Sequence, residues 1–227
     1  MTREDKEFLK QSHLFKGLYD GDIGELEQVS RMDSCERKKS IYRPEDPSDS
    51  IYIIRSGRVK ITRVTEDGKE IILGLLKNGD IFGEMAILEN GPRGTFAEAL
   101  DSTIYYQINV EDLYRIMRRK PTVIIRLARI IGRRRLEAEN SMENLLHKGV
   151  RERLAGQLLK LSKDYGVKDS RGSMLRIKIT HQDLANLIGS SRETVSLILG
   201  DLRREGVIDI EERKIIIKDE PALERIA

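Results

Sequence analysis

The chain has 227 residues, 39% hydrophobic and 35% charged, with 41 Lys and Arg against 38 Asp and Glu and a single cysteine. That apolar share supports a folded core and argues against wholesale disorder, and no apolar run approaches the roughly 18 residues of a membrane span. Cys35 alone excludes an internal disulfide framework and a Cys-cluster metal or iron–sulfur site, and Met1-Thr2-Arg3-Glu4-Asp5-Lys6-Glu7 lacks the apolar stretch of a secretory signal, so a cytoplasmic, reducing location is expected.

Charge is unevenly spread. Residues 1–118 hold 18 Lys and Arg against 22 Asp and Glu, residues 119–147 hold 7 against 3, and residues 148–227 hold 16 against 13. The basic second half suits a polyanion, although the modest excess does not by itself select one. Residues 1–34 predict short amphipathic helices, with Phe8, Leu9, Leu14, Phe15, Leu18, Ile23 and Leu26 set among polar residues. From 40 to 108 short β-rich runs take over, at 51–54, 59–64, 71–76 and 103–108. They are broken by Ser56-Gly57, Glu66-Asp67-Gly68 and Lys77-Asn78-Gly79-Asp80. Short strands with regularly spaced glycine turns predict an antiparallel barrel or sandwich.

Within it, Gly79-Asp80-Ile81-Phe82-Gly83-Glu84-Met85-Ala86-Ile87-Leu88 joins a glycine turn, a strand and a short helical turn, and Arg93 follows Glu84 by nine residues. Backbone N–H groups at such a turn, close approach at Gly83 and a guanidinium at Arg93 suit a phosphate or carboxylate; Glu84 suits sugar hydroxyls. On spacing alone the segment reads equally as a strand-linking turn with a surface ion pair.

After Pro121 the pattern is helical. Residues 122–147 hold no proline and one glycine, Gly132, and Ala128, Ile131, Arg135, Ala138, Met142 and Leu145 alternate three and four apart. A helix of this length spans about 39 Å. That is long for one small barrel, so the stripe predicts a homodimer seam, with packing on its own domain as the alternative. Arg133-Arg134-Arg135 reads as a solvated face.

Residues 148–227 form a separate small domain: a helix over 150–165 carrying Leu154, Leu158, Leu159 and Leu161, a loop with Gly166 and Ser170-Arg171-Gly172-Ser173, and a strand at 175–179. Thr180 and Asp183 have capping-box spacing, and Gly189 is placed to end that helix. Ser190 with Glu193, or Ser191 instead, caps the next. Val195, Ile198, Leu199 and Leu202 then make one buried face, leaving Arg192, Glu193, Ser196, Leu197, Gly200, Arg203 and Arg204 outside. Two short helices about a tight glycine turn match a helix-turn-helix whose second helix enters the major groove. Arg192 suits a guanine edge, Glu193 a cytosine amine, Ser196 close approach and Leu197 a thymine methyl. Residues 207–210 and 215–217, joined through Glu211-Glu212-Arg213-Lys214, predict a wing.

The assembled residues resemble the cyclic-AMP receptor protein and fumarate-nitrate regulator superfamily of bacterial transcription factors. The resemblance spans residues 14–217 and is most specific at Gly83-Glu84-Met85-Ala86, Pro92-Arg93, Thr180-His181-Gln182-Asp183 and Ser191-Arg192-Glu193-Thr194-Val195-Ser196. It implies an α+β chain: an N-terminal double-stranded β-helix (jelly-roll, cyclic-nucleotide-binding-like) barrel over 1–118, a dimerisation helix over 119–147 and a winged helix-turn-helix over 148–227. It further implies a homodimer that binds double-stranded, palindromic DNA and touches RNA polymerase. The implied effector residues are Gly83, Glu84, Met85, Ala86, Arg93, Gly94 and Thr95, with Glu84 on a ribose hydroxyl and Arg93 on a cyclic phosphate. The implied DNA-binding residues are Thr180, Gln182, Ser191, Arg192, Glu193, Ser196, Leu197 and Arg203.

The departures fall at ligand and base contacts. Gly94 stands where the family has a serine, and Ala138 and Glu139 stand where it has the Thr-Ser pair that holds adenine, so three hydroxyls used for cyclic AMP are missing. A small anionic effector is expected, a cyclic nucleotide being one candidate. His13, His147 and His181 do not match the haem-sensing branch. The stretch Gly200-Asp201-Leu202-Arg203 is similar to the cyanobacterial nitrogen-control branch, which senses 2-oxoglutarate but lacks the acid at Glu84. Leu197 replaces a base-reading arginine. A regulator needing no effector, and a ligand-binding module of a larger complex that leaves DNA alone, are the competing readings; residues 180–204 separate the second from a DNA binder. Catalysis is not expected, because no nucleophile elbow, metal-spaced His cluster or phosphate-transfer loop is present.

Overall fold

The computed structural model describes residues 2–88, 91–212 and 214–227. The chain forms two compact units, Met1–Arg135 and Leu136–Ala227. In the first, helix α1 (Arg3–Gln11) is capped by Thr2, whose hydroxyl accepts from the Asp5 N–H, and α2 (Asp20–Val29) follows. Eight strands then build two four-stranded antiparallel sheets. One runs β1 (Ser30–Cys35), β8 (Thr103–Asn109), β3 (Ser50–Ser56), β6 (Ile81–Phe82). The other runs β2 (Ser40–Tyr42), β7 (Phe96–Ala99), β4 (Val59–Val64), β5 (Glu70–Leu76). Neighbours distant in sequence, such as β1 with β8 and β2 with β7, give the double-stranded roll.

Strand β3 shows why the run at 51–54 lacks polar–apolar alternation: both its faces are covered. Ile51 and Ile53 join Leu9, Leu14, Phe15, Ile23 and Leu26 in a core under the helices. Tyr52 and Ile54 join Tyr42, Val59, Phe82, Ala97, Ala99 and Tyr105 between the sheets. Helix α3 (Val110–Arg119), capped by Asn109, adds Leu113, Ile116 and Met117 to the first core. A buried polar link fastens α1 to the roll. Asp5 accepts from the Tyr106 hydroxyl at 2.7 Å and from Arg55 Nε at 3.4 Å, and the Arg55 guanidinium lies 4.9 Å from the Phe8 ring centre. The Tyr106 hydrogen bond, with those from Thr2, holds the Asp5 carboxyl well below the usual carboxylate range.

Helix α4 (Pro121–His147) carries 27 residues. Val123 and Leu127 bury into the core beneath the helices, with Ile130 and Ile131 packed partly against it. Ile124, Ile125, Leu136, Met142, Leu145 and Leu146 stay exposed.

The second unit contains α5 (Val150–Tyr165), β9 (Gly166–Asp169), β10 (Gly172–Leu175), α6 (His181–Ile188), α7 (Arg192–Arg204), β11 (Ile208–Glu211), β12 (Lys214–Ile217) and α8 (Glu220–Ile226). Its antiparallel sheet has the order β11-β12-β10-β9. Ile215, Ile216 and Ile217 of the wing are all buried. Arg213, read as part of the wing turn, lies outside the described residues.

Two sequence expectations are corrected. The helical reading of 1–34 overran: Ser30–Cys35 is an edge strand registered from Ser30 opposite Ile108 to Cys35 opposite Thr103. Its middle residues face solvent, so it has no apolar signature. The strand expected at 175–179 instead ends at Leu175. Arg176 N–H bonds to the Tyr165 carbonyl at 2.9 Å, and the buried Ile177 tethers an irregular link to α6. The loop expected around 166–173 is the β9–β10 hairpin. No helix among the described residues is long and apolar enough to cross a membrane.

Candidate nucleic-acid interface and effector site

The helix-turn-helix is fixed by its caps. Thr180 Oγ1 accepts from Asp183 N–H at 3.0 Å, and Thr180 N–H returns a bond to Asp183 Oδ2 at 2.9 Å. Gly189 ends α6 at φ 63°, ψ 54°, a left-handed conformation, and a side chain there would meet Leu145 Cδ2 at 3.0 Å. Helix α7 starts at Ser191, whose Oγ accepts from Thr194 N–H at 3.1 Å; of the two serines considered, Ser191 is the cap. The turn carbonyls are held by Arg153 of α5, which donates to Ile188 O at 3.0 Å and Gly189 O at 3.5 Å, and also to Lys148 O, before α5, at 2.6 Å. The sequence reading gave Arg153 no role, because its partners are backbone atoms brought near only by folding.

Helix α7 buries Val195, Ile198, Leu199 and Leu202. Arg192, Glu193, Leu197 and Gly200 are exposed on the other side. The remaining candidates are tied into the protein. Ser196 Oγ shares a 2.8 Å hydrogen bond with His181 Nδ1 of α6, Arg203 Nε donates to Asp209 Oδ1 of the wing at 3.0 Å, and Gln182 Nε2 donates to Asn186 Oδ1 at 2.8 Å. The Ser196–His181 bond links the two helices, and Arg203–Asp209 links helix and wing. A helix N-terminus with an exposed arginine beside it suits phosphate and base edges.

The roll brings Gly83, Glu84 and Arg93 together. Gly83, at φ 75°, caps the 3₁₀ turn Glu84–Ile87; a side chain there would meet Arg93 Nη1 at 2.9 Å and Tyr52 Cδ2 at 3.0 Å. Arg93 runs inward. Its guanidinium lies 4.7 Å from the Tyr42 ring centre and 5.2 Å from that of Tyr52. It donates to Ser50 O at 2.8 Å, Gly83 O at 3.4 Å and Tyr52 Oη at 3.3 Å, and sits 3.6 Å from the Asp49 carboxylate. Its Nε is buried without a hydrogen-bond partner. Gly94 N–H donates to Pro44 O at 3.0 Å, and Thr95 hydrogen-bonds the Tyr42 phenol, whose pKa burial pushes up. Ala86 is buried and Met85 is exposed.

Glu84 is nearly buried and forms an ion pair with Arg134 of α4, which also donates to the Ile81 carbonyl. This corrects the reading of Arg134 as part of a solvated face. A signal for it was present: Val123, Leu127, Ile130 and Arg134 follow at spacings of four, three and four, one stripe of one helix. Tyr42 and Tyr52 were also missed; they sit on strands that cross Arg93 only in the folded roll.

The cyclic nucleotide-binding domain family matches residues 33–120, and the Crp-like helix-turn-helix domain family matches residues 152–226. A global nitrogen regulator from Nostoc sp. is 33% identical over 86% of this chain and 88% of its own. A CRP-like cAMP-activated global transcriptional regulator from Mycobacterium tuberculosis is 30% identical over 97% of this chain and 99% of its own. The crystal structure of a CRP-family transcriptional regulator from Thermus thermophilus superposes with a TM-score of 0.74 at 30% identity, covering 86% of this chain and 96% of that one.

Proposed function

Since the chain belongs to the CRP/FNR superfamily of DNA-binding transcription regulators, we propose that it works in the cytoplasm as a homodimer joined along α4, reading a palindromic site with two copies of α7 and acting on RNA polymerase. Residues 1–118 would sense, 119–147 dimerise and 148–227 bind DNA. The observation that carries the dimer is the exposed apolar face of α4, where Leu136 is 60%, Met142 64% and Leu145 50% exposed. A second copy of the same helix buries such a stripe. Arg192 and Glu193, exposed at the start of α7, are the main base readers, with Thr180, Gln182, Ser191, Ser196 and Arg203 aligning the helices on the duplex.

Sedimentation of the full chain, with selection of sites from a random DNA pool, tests this. The result expected is a dimer and an enriched palindrome with half-sites roughly 34 Å apart. A monomer, or an enriched site without two-fold symmetry, refutes it.

The roll fits cyclic AMP poorly. Glu84 is engaged by Arg134, the Arg93 guanidinium lies against the Tyr42 and Tyr52 rings, and Gly94, Ala138 and Glu139 offer none of the three hydroxyls. In this reading the roll holds α4 through Glu84–Arg134 itself, and no nucleotide is needed. The buried, unpartnered Nε of Arg93 favours a second reading, a small anionic effector at Gly83–Arg93. The named relatives are themselves split between nitrogen regulation and cAMP activation. Calorimetry with cyclic AMP, cyclic GMP and 2-oxoglutarate separates the readings. Absence of binding supports the first; binding lost in Arg93→Ala supports the second.

A further inference from the structure

The outward face of α7 changes character along its length. Its N-terminal end carries Arg192 and Glu193, both exposed. Further along, the charged and polar groups are engaged within the protein: one turn on, Ser196 is bonded to His181, and at the C-terminal end Arg203 is bonded to Asp209 and Arg204 is paired with Asp201. What remains at the centre is Leu197, 67% exposed, and Gly200, one turn beyond it. The fold asks for neither. The packed face of α7 is complete with Val195, Ile198, Leu199 and Leu202. A side chain at Gly200 would meet nothing within 4 Å, so no neighbour requires a glycine that costs a helix interior about 1 kcal/mol relative to alanine. Together they form a strip of close approach bearing no hydrogen-bonding side chain.

We propose that Leu197, seated close to the groove floor through Gly200, reads the 5-methyl group of a pyrimidine. The proposal rests on α7 being the DNA-reading helix. The reason is chemical: the major-groove edges of the bases present donors, acceptors and one apolar group, the pyrimidine methyl of thymine. A leucine discriminates only that group. It is indifferent to whether O4 or an N4 amine lies beside it. Thymine and 5-methylcytosine are therefore equivalent to Leu197, uracil and cytosine are both deficient, and the regulator senses cytosine methylation at one position of each half-site.

The test uses the full chain and the site it selects from a random pool. Each thymine is replaced in turn by deoxyuridine, and at the position that responds, 5-methylcytosine·G is compared with C·G. Wild-type protein is expected to lose about fourfold in affinity per half-site on removal of the methyl in both comparisons, the value of one buried methylene-sized group. Leu197→Ala is expected to show no methyl preference while keeping its dependence on the pair read by Arg192. Leu197 is exposed and outside the packed face, so folding of the variant is not at stake. The inference is overturned if no position responds, if only one of the two comparisons does, or if Leu197→Ala responds as wild type does. A pool that yields no enriched sequence would instead overturn DNA reading by α7 itself, and this inference with it.

Discussion

The junction of Glu84 with Arg134 makes an asymmetric prediction. The Glu84 side chain is 11% exposed and that of Arg134 32%. Removing one member of a buried pair costs about 3–5 kcal/mol, because the other is left charged and dry. Arg134→Gln strands Glu84, which has little access to water; the partial exposure of the pair reduces the cost to about 2–3 kcal/mol. Glu84→Gln strands Arg134, which keeps its bond to Ile81 O and turns its free edge to solvent, so about 1 kcal/mol is expected. The double variant should recover about 1–2 kcal/mol relative to the sum of the singles. Urea unfolding followed by tyrosine fluorescence reads this locally. Of the 7 tyrosines, all but Tyr165 lie in Met1–Arg135. If the junction also transmits from roll to helix, Arg134→Gln weakens specific DNA binding more than Glu84→Gln does. Equal single costs below about 0.5 kcal/mol that add in the double variant would refute the reasoning, because an exposed, uncoupled pair behaves that way.

Arg192→Ala should cost roughly 1–3 kcal/mol on the selected site and relax specificity at one base pair, measured by anisotropy against specific and random duplexes; equal losses on both would show a phosphate contact only. Gly189→Ala places a non-glycine residue at φ 63° against Leu145, so thermal stability of the full chain should fall by about 1–2 kcal/mol, with partial recovery when Leu145→Ala is added. Asp5 has a folded pKa below its ordinary value of 3.8, so its carboxylate contributes stability above about pH 4 and loses it as pH falls further. The stability gap between wild type and Asp5→Asn in urea titrations should therefore be widest near neutrality and shrink below pH 4. A gap constant from pH 7 to pH 3 would rule out the Asp5–Tyr106–Arg55 link as a charged one.

What could be read from the sequence was what local chemistry determines. Thr180, Asp183, Gly189 and Ser191 define helix ends within a few residues of themselves, so the helix-turn-helix was legible nearly to the residue. The strands at 51–54, 59–64, 71–76 and 103–108 were legible because they are apolar and bounded by turns. Ser40–Tyr42 and Phe96–Ala99 are short and pair with each other across more than 50 residues, and Ser30–Cys35 is a polar edge; their pairing in space makes them strands, and no local period announces it. The exposed face of α7 was legible for the opposite reason from the core: it is what remains once the buried face is assigned.

Helix α4 shows how a correct period can still be half read. It carries two stripes, about a third of a turn apart. Ala128, Ile131, Arg135, Ala138, Met142 and Leu145 form the one assigned to a partner; Val123, Leu127, Ile130 and Arg134 form the other, which enters the roll. A single chain has to satisfy both, and the second ends in a charge. A guanidinium at the end of a buried stripe needs acceptors on its packed side, and the roll delivers a carboxylate as well as the Ile81 carbonyl. Glu84, held nearly buried at the start of the 3₁₀ turn by the left-handed Gly83, meets that need. Glu84, which looked like a ligand's contact, and Arg134, which looked solvated, are thus one structural unit, and an effector that engaged Glu84 would have to displace the protein's own arginine.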